Sequence, residues 1–260
     1  MGKEKKVTVY VVTHKPVDLT PLKLDSCYRL IRVGPYAKET AEGIAADNTG
    51  DNISEKNPNY CELTAHYWMW KNDDSDVIGL CHYRRYLTTN ALSEDPSGIL
   101  DREEIMKALR DHDVILPYRP AARRTVKEIY LDFGFEKDLD TLRAVLEEKY
   151  PDHVAEYDAL MARHSNYPAN MLICSKALFD EYSAWLFDIL FEVEKRTDLT
   201  GYTQQQARIY GFMSERLLEL WVKHKHLRIK HFRWLNTEKD YDLKSKAKDI
   251  FSIAMTPFDK

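Results

Sequence analysis

Two adjacent arginines and a histidine form the chemically most specific segment of the chain. The segment His82-Tyr83-Arg84-Arg85 follows residues 76–80, an apolar run that is typical of a buried strand. Guanidinium groups stay charged and grip phosphate oxygens with paired hydrogen bonds, so Arg84 and Arg85 could neutralise a leaving diphosphate, with His82 beside them. The alternative is that one of the two arginines pairs with a carboxylate on a neighbouring helix.

A second polar cluster, Thr13, His14 and Lys15, follows residues 7–12, whose β-branched and aromatic side chains predict the first strand. The cluster offers a hydroxyl, an imidazole and an ammonium group within three residues, which could hold uracil, ribose or phosphate. The alternative is a polar loop that caps the next element.

Residues 47–54 are rich in turn-forming side chains and lead into a predicted helix that starts at Asn57 and Pro58. A helix N-terminus attracts anions, so the loop could complete a ligand pocket through Asp51, Asn52 and Ser54. The alternative is a loop in which these side chains bond only to their own backbone.

Residues 212–217 predict the start of a helix with Glu215 in its first turn. The helix dipole favours a carboxylate at that position. A glutamate can also act as a general base that removes a proton from a hydroxyl group. The sequence leaves both interpretations open.

Residues 223–233 combine lysines, arginines and histidines with apolar side chains. They could form a solvated strand face or contact anionic lipid headgroups. His224 and His226 have the spacing of a metal-binding pair on a strand, but no carboxylate or cysteine stands nearby at ligand spacing, so we predict no metal site there.

Composition places the chain among ordinary globular proteins of 260 residues. We predict a single domain over residues 1–236 and a C-terminal tail over residues 237–260. The net charge of -4 argues against nucleic acid as a partner. Four widely spaced cysteines indicate buried thiols in a reducing compartment, and we see neither a signal peptide nor an apolar run of about 20 residues, so we expect a cytoplasmic protein.

Strands that alternate with helices predict an α/β fold with a mostly parallel central sheet and helices on both faces. Such sheets bind ligands beyond the carboxyl ends of their strands, which is where the two polar clusters fall. The predicted strands are residues 7–12, 76–80, 114–116 and 170–174. The predicted helices are residues 101–110, 137–150, 151–164, 178–193 and 212–224, besides the helix that starts at Asn57.

Several longer motifs, taken together, resemble one known family, that of bacterial capsular and exopolysaccharide biosynthesis. The family was long described as a domain of unknown function, and some of its members are galactofuranosyltransferases. The motifs that carry the resemblance span residues 47–54, 57–64, 67–72, 78–86, 170–173, 182–187 and 211–218.

The resemblance implies a type A glycosyltransferase-like fold and the transfer of a hexosyl unit, with galactofuranose as the expected sugar. The donor would be a UDP-sugar, and the acceptor a glycan or lipid-linked glycan of a capsule, exopolysaccharide or O-antigen. The chain would visit the inner face of the cytoplasmic membrane as a peripheral protein.

Roles for individual residues follow from the same resemblance. Thr13, His14 and Lys15 would line the nucleotide, Asn170 would face the sugar or acceptor, and Glu215 would be the base of an inverting reaction. No cofactor is implied, because the UDP-sugar is a substrate. Type A enzymes usually hold a divalent metal with an Asp-x-Asp motif, and His82 to Arg85 stand in its place, so metal dependence stays open.

Two alternatives compete with this interpretation. The chain could be a non-catalytic carbohydrate-binding or scaffold protein of polysaccharide assembly. It could also be another nucleotide-sugar enzyme such as an epimerase, but no G-x-G-x-x-G motif follows the first strand.

Overall fold

The computed structural model describes residues 4–39, 41–90 and 93–238. Most of the predicted tail, from residue 239 on, therefore lies outside the described residues. The strands are β1 (Val7–Thr13), β2 (Tyr28–Arg32), β3 (Ala45–Ala46), β4 (Val77–His82), β5 (Arg85–Thr88), β6 (Val114–Pro117), β7 (Leu172–Ser175) and β8 (Ile229–Asn236). The α-helices are α1 (Asn57–Tyr60), α2 (Leu63–Asn72), α3 (Arg102–Ala108), α4 (Val126–Tyr130), α5 (Glu136–Lys149), α6 (Val154–Met161), α7 (Lys176–Arg196) and α8 (Ile209–His224).

The α/β class is confirmed, but the prediction of a mostly parallel sheet was wrong. β1 runs parallel to β2 and β4, and β6 runs parallel to β8, whereas β7 is antiparallel to β4 and β6. β5 is antiparallel to β4, because the chain reverses through Tyr83 and Arg84, a connection too short to return a parallel strand. β5 is also antiparallel to β8. Since β4 contacts both β5 and β7, the five strands β4, β5, β8, β6 and β7 form a closed ring.

Helices cover both faces of the sheet, as predicted, but they cover them unequally. Alternate residues of β1 point to opposite sides, so Tyr10 and Val12 belong to one buried cluster and Val9 and Val11 to another. The first cluster packs against the long helices α2, α5, α7 and α8. The second is covered by α3, whose Ile105 is fully buried, and by loop residues.

The helix predicted to begin at Asn57 is broken after one turn. Cys61 has a φ of 54°, a conformation that side chains other than glycine rarely adopt, and α2 starts only at Leu63. The Asn57 side chain does not cap the helix. Its Nδ2 donates instead to the carbonyl of Cys61 at 2.8 Å and to the Thr64 hydroxyl at 3.1 Å. The break leaves Glu62 at the N-terminal boundary of α2.

The start of α8 also differs from the prediction. The helix begins at Ile209, so Glu215 lies in its second turn, and the helix dipole does not account for a carboxylate there. Across the described ranges, no helix combines the length and apolar character needed to cross a membrane.

Candidate functional site

A cleft of about 760 Å³ opens at the carboxyl ends of β1 and β4. Val12 of β1 and His82 of β4 face each other in the strand register, so the segments that follow them leave the sheet side by side. His14 from the first segment and Arg84 and Arg85 from the second line the cleft. Further lining comes from α1, from Cys61 and Glu62 just before α2, from the segment that precedes α8 and from the first half of α8.

Arg85 is a cation without a partner. Its guanidinium lies 5.2 Å from the ring of Trp234, and within the described ranges no hydrogen bond or ion pair forms to its side chain. Its Nε is buried and unpaired. Burial, and then the charge of Arg84, lower the pKa of Arg85. A half-buried guanidinium without an ion-pair partner among the described residues favours an anionic ligand in the cleft.

Two further arginines flank this position. Arg84 Nη1 donates to Glu238 Oε2 at 3.2 Å on the exposed side of the cleft. Arg208, just before α8, donates from Nε to Cys61 Sγ at 3.1 Å and lies over the ring of Phe212. The cleft therefore brings three arginines together, two of them from the predicted segment.

The two histidines of the cleft favour their neutral forms. His82 Nε2 lies 2.7 Å from the carbonyl oxygen of Ala169, so this nitrogen carries the proton and donates it. Burial lowers the pKa of His82. Partial desolvation, then Lys15 and Arg84, lower the pKa of His14, whose ring meets the Tyr83 ring edge-on at 5.6 Å.

The carboxylates of the cleft are Glu215 and Glu62. Glu215 Oε1 accepts from the backbone N–H of Ala169 at 2.8 Å, and its Oε2 accepts from Arg216 Nη1 at 3.0 Å. Burial raises the pKa of Glu215, although Arg216 opposes this shift. Glu62 Oε1 accepts from Asn170 Nδ2 at 2.8 Å.

The turn before β7 holds these groups together. Ala169 and Asn170 have φ values of 65° and 50°, and such conformations are costly for residues other than glycine. Asn170 is buried, and its Nδ2 bonds Glu62 and, at 3.2 Å, the Gly211 carbonyl, while its Oδ1 accepts from the Ser214 hydroxyl. Asn170 does not line the cleft, and its contact there is with Glu62, which it positions. Its assignment to a sugar or acceptor stays a prediction.

Thr13 and Lys15 do not line the cleft either, although His14 between them does. Thr13 is fully buried, and its hydroxyl donates to the Lys15 carbonyl at 2.6 Å. Lys15 lies 3.2 Å from Glu238 and sits above the Tyr83 ring. Their assignment to a nucleotide stays a prediction without a supporting contact.

Asp51, Asn52 and Ser54 bond within their own loop and to α2. Ser54 donates its N–H to Asn52 Oδ1 at 3.2 Å and its hydroxyl to Asp47, and Tyr67 donates to Asp51 at 3.2 Å. None of the three lines the cleft. Of the three, only Asn52 bonds the backbone of the loop, since Asp51 accepts from Tyr67 and the Ser54 hydroxyl bonds the Asp47 side chain. The assignment of the three residues to a donor pocket stays a prediction.

Glu62, Arg208 and Cys61 are cleft residues that we did not predict from the sequence. Glu62 stood inside a motif that carried the family resemblance, and Arg208 follows a run of three glutamines before α8. No hydrophobic periodicity of the sequence marks Glu62 or Arg208. The break at Cys61 and the turn before α8 bring them to the cleft, and neither feature is visible in the sequence.

A metal site does not fit the residues present. In the parts of the chain that the structure describes, no group of three or more histidine, cysteine, aspartate or glutamate side chains could hold a metal ion. His224 instead stacks on His153 with ring centres 3.7 Å apart and contacts Glu156 at 3.2 Å.

The comparisons with known proteins are consistent with one another. Residues 8–226 match the family described as Domain of unknown function (DUF4422). No curated protein matches the chain.

Among solved structures, the apo structure of the WbbM bifunctional glycosyltransferase superposes with a TM-score of 0.79 at 28% identity. The match covers 90% of this chain and 46% of that one, so the chain spans about half the length of its neighbour. A 4-diphosphocytidyl-2C-methyl-D-erythritol synthase from Anaerococcus prevotii covers 96% of this chain and 97% of its own, at 10% identity. Its TM-score of 0.31 is too low to support an argument.

Proposed function

The chain belongs to the DUF4422 family, and from that premise we propose that it is a glycosyltransferase that moves a hexosyl unit from a UDP-sugar to a saccharide acceptor. The similarity to the WbbM bifunctional glycosyltransferase over 90% of the chain supports this class of reaction. Because only about half of that neighbour is covered, the UDP-sugar donor and the acceptor rest on the motifs that resemble the family and on the charges of the cleft.

The observation that carries the proposal is the unpaired Arg85 in a cleft that also holds two carboxylates. Glycosyl transfer with inversion needs both kinds of group at once. A carboxylate takes the proton of the acceptor hydroxyl as its oxygen bonds the anomeric carbon, and the bond from that carbon to the diphosphate breaks. Arg85 would bind the diphosphate oxygens as their negative charge develops, with Arg84 and Arg208 beside it.

The donor is best tested by binding. Titration calorimetry should show tighter binding of UDP than of GDP or ADP, and UDP should be released from UDP-galactofuranose faster than from UDP-glucose. Arg143→Ala, which removes an arginine from the distant helix α5, is the matched control for charge and should bind UDP normally. Equal affinity for all three nucleotides would contradict the donor, and binding of glycan without UDP would favour the non-catalytic alternative.

The reaction should not need a divalent cation, since permanent guanidinium charges can offset the leaving diphosphate. We therefore expect UDP release to continue in EDTA. Loss of UDP release in EDTA that manganese restores would contradict this part of the proposal.

The acceptor that we propose is a glycan or lipid-linked glycan of a capsule, exopolysaccharide or O-antigen, reached at the inner face of the cytoplasmic membrane. Residues 223–233 would supply the membrane contact. Lys225 and Arg228 already pair with Glu181 and Asp113, so the attraction to anionic lipid should be weak. Sedimentation with vesicles of anionic and of neutral lipid tests it, and equal sedimentation at low salt would argue against membrane contact.

A further inference from the structure

The two carboxylates of the cleft differ in how their oxygens are used. Both oxygens of Glu215 already accept hydrogen bonds, one from the Ala169 N–H and one from Arg216. Arg216 is itself held in place, because the same Nη1 also donates to the Phe212 carbonyl at 2.7 Å. Both oxygens of Glu215 are therefore held by fixed donors, and a proton from a ligand would share an oxygen with one of them.

Glu62 has one oxygen fixed and one open. Oε1 is held by Asn170, while Oε2 has no hydrogen-bond or ion-pair partner among residues 4–39, 41–90 and 93–238 and is not a buried atom. Because Glu62 lines the cleft, this oxygen is open to whatever the cleft binds. One fixed and one open oxygen is the arrangement that a general base needs.

The support behind Glu62 is rigid. Asn170 is buried and uses both Nδ2 and Oδ1 on Glu62, Gly211 and Ser214, so its amide cannot turn away from Glu62. From the other side, the broken helix at Cys61 fixes the backbone of Glu62 at the boundary of α2. The strained break at Cys61 and the buried amide of Asn170 together fix Glu62 at the cleft, a position that a continuous helix would not give it.

We propose that Glu62 is the catalytic base of the cleft and that Glu215 is a positioning residue. This inference rests on the glycosyl transfer proposed above. The acceptor hydroxyl transfers its proton to Glu62 Oε2 while its oxygen bonds the anomeric carbon of the donor. The bond from that carbon to the diphosphate breaks, and the electron pair leaves with the UDP. Glu215 acts through Ala169, which it holds by the N–H and whose carbonyl orients His82.

The test uses water as the acceptor, so that no natural acceptor is needed. UDP release is followed with UDP-galactofuranose, UDP-galactopyranose and UDP-glucose for the wild type and the variants Glu62→Gln, Glu62→Ala, Glu215→Gln and Glu215→Ala. UDP affinity, measured by calorimetry, reports whether the cleft is intact.

We expect Glu62→Gln to lower kcat by about 10²–10⁴-fold, with little change in UDP affinity. Formate should restore part of the activity of Glu62→Ala, since it can enter the space of the lost carboxylate, but should not restore Glu215→Ala. Glu62→Asp keeps a carboxylate and should retain more activity than Glu62→Gln, which separates lost chemistry from misfolding.

Two results would overturn the assignment: near-wild-type kcat in Glu62→Gln, or formate rescue of Glu215→Ala and not of Glu62→Ala. A wild type that binds no UDP and cleaves none of the three donors would instead refute the proposed function and this inference with it. An active wild type with an active Glu62→Gln would refute the inference alone.

Discussion

Two arginine sites in this molecule differ in whether a carboxylate of the fold neutralises their charge. Beneath α8, Arg119 and Arg163 both approach Glu219 Oε1 to 2.7 Å, and the side chains of Arg119 and Glu219 are only 4% and 3% exposed. In the cleft, Arg85 has no such carboxylate partner in the described residues. A cation paired inside the fold stabilises the fold, whereas a cation left open keeps its charge for a ligand.

The largest effect expected from this comparison is on stability. Glu219→Ala removes the carboxylate that pairs with the buried Arg119 and the half-buried Arg163. It should lower the free energy of unfolding by about 3–5 kcal/mol, measured by urea denaturation. Glu147→Ala, which breaks the exposed pair with Arg143, is the control and should change stability little. Equal, small losses in both variants would mean that the network beneath α8 does not act as a buried pair.

An alanine substitution in the cleft should lower UDP affinity and leave the free energy of unfolding nearly unchanged. Arg85→Ala should weaken UDP binding on the order of 100-fold, because two charge-assisted hydrogen bonds to phosphate are lost. Arg85→Lys should recover only part of the affinity, since lysine lacks the planar fork. The comparison fails if Arg85→Ala lowers the free energy of unfolding as much as Glu219→Ala does, or if its UDP affinity stays at the wild-type level.

His66, a histidine of the buried core, should make the stability of the protein depend on pH. His66 is buried, bonds the Ser183 hydroxyl at 2.8 Å and stacks on Phe179, and burial lowers its pKa from 6.5 to about 3. Below pH 6.5 the unfolded chain binds this proton and the folded chain does not, so stability falls with falling pH. Between pH 7.5 and 5 the loss from His66 should be about 2 kcal/mol.

The contribution of His66 is isolated by comparing wild type with His66→Gln over the same pH range. The variant should start from lower stability but lose less of it on acidification. Parallel curves for the two proteins would show that His66 gains its proton equally well in both states.

The smallest expected effect is on UDP affinity and concerns Glu238, which pairs with cations at the cleft. It contacts both Lys15 and Arg84 at 3.2 Å on the exposed rim of the cleft. Glu238→Ala should tighten UDP binding by about twofold to fivefold, because exposed ion pairs are weak competitors. The gain should disappear in an Arg84→Ala background, and an unchanged affinity in the single variant would remove Glu238 from the site.

Local sequence patterns were sufficient for the elements that bury one continuous face. β1, β4, β6 and β7 lie within two residues of their predicted bounds, and α7 contains the whole predicted stripe. β2 was not predicted, because its side chains are mostly half-exposed and its pairing with β1 joins distant parts of the chain. The closed ring was missed for the same reason, since β4 pairs with β7, and β8 with β5 and β6, across distant parts of the chain.

The candidate site was predictable where it follows strands and unpredictable where it depends on strained backbone. His14, His82, Arg84 and Arg85 reach the cleft because the ends of adjacent parallel strands meet at one edge. Glu62 reaches the cleft only because Cys61 takes a positive φ. A cysteine does not predict this conformation, which glycine adopts most readily.

The turn at Ala169 and Asn170 has a consequence for how the chain can vary. It bonds Glu215 through an N–H, His82 through a carbonyl and Glu62 through a side-chain amide. A substitution that changed the backbone torsions of this turn would misplace all three partners at once. We therefore expect that none of the three residues can be substituted while the turn and the other two stay unchanged. In an alignment of homologues, we expect positions 62, 82 and 215 to covary with residues 169 and 170. The loop of residues 47–54 should vary independently of them.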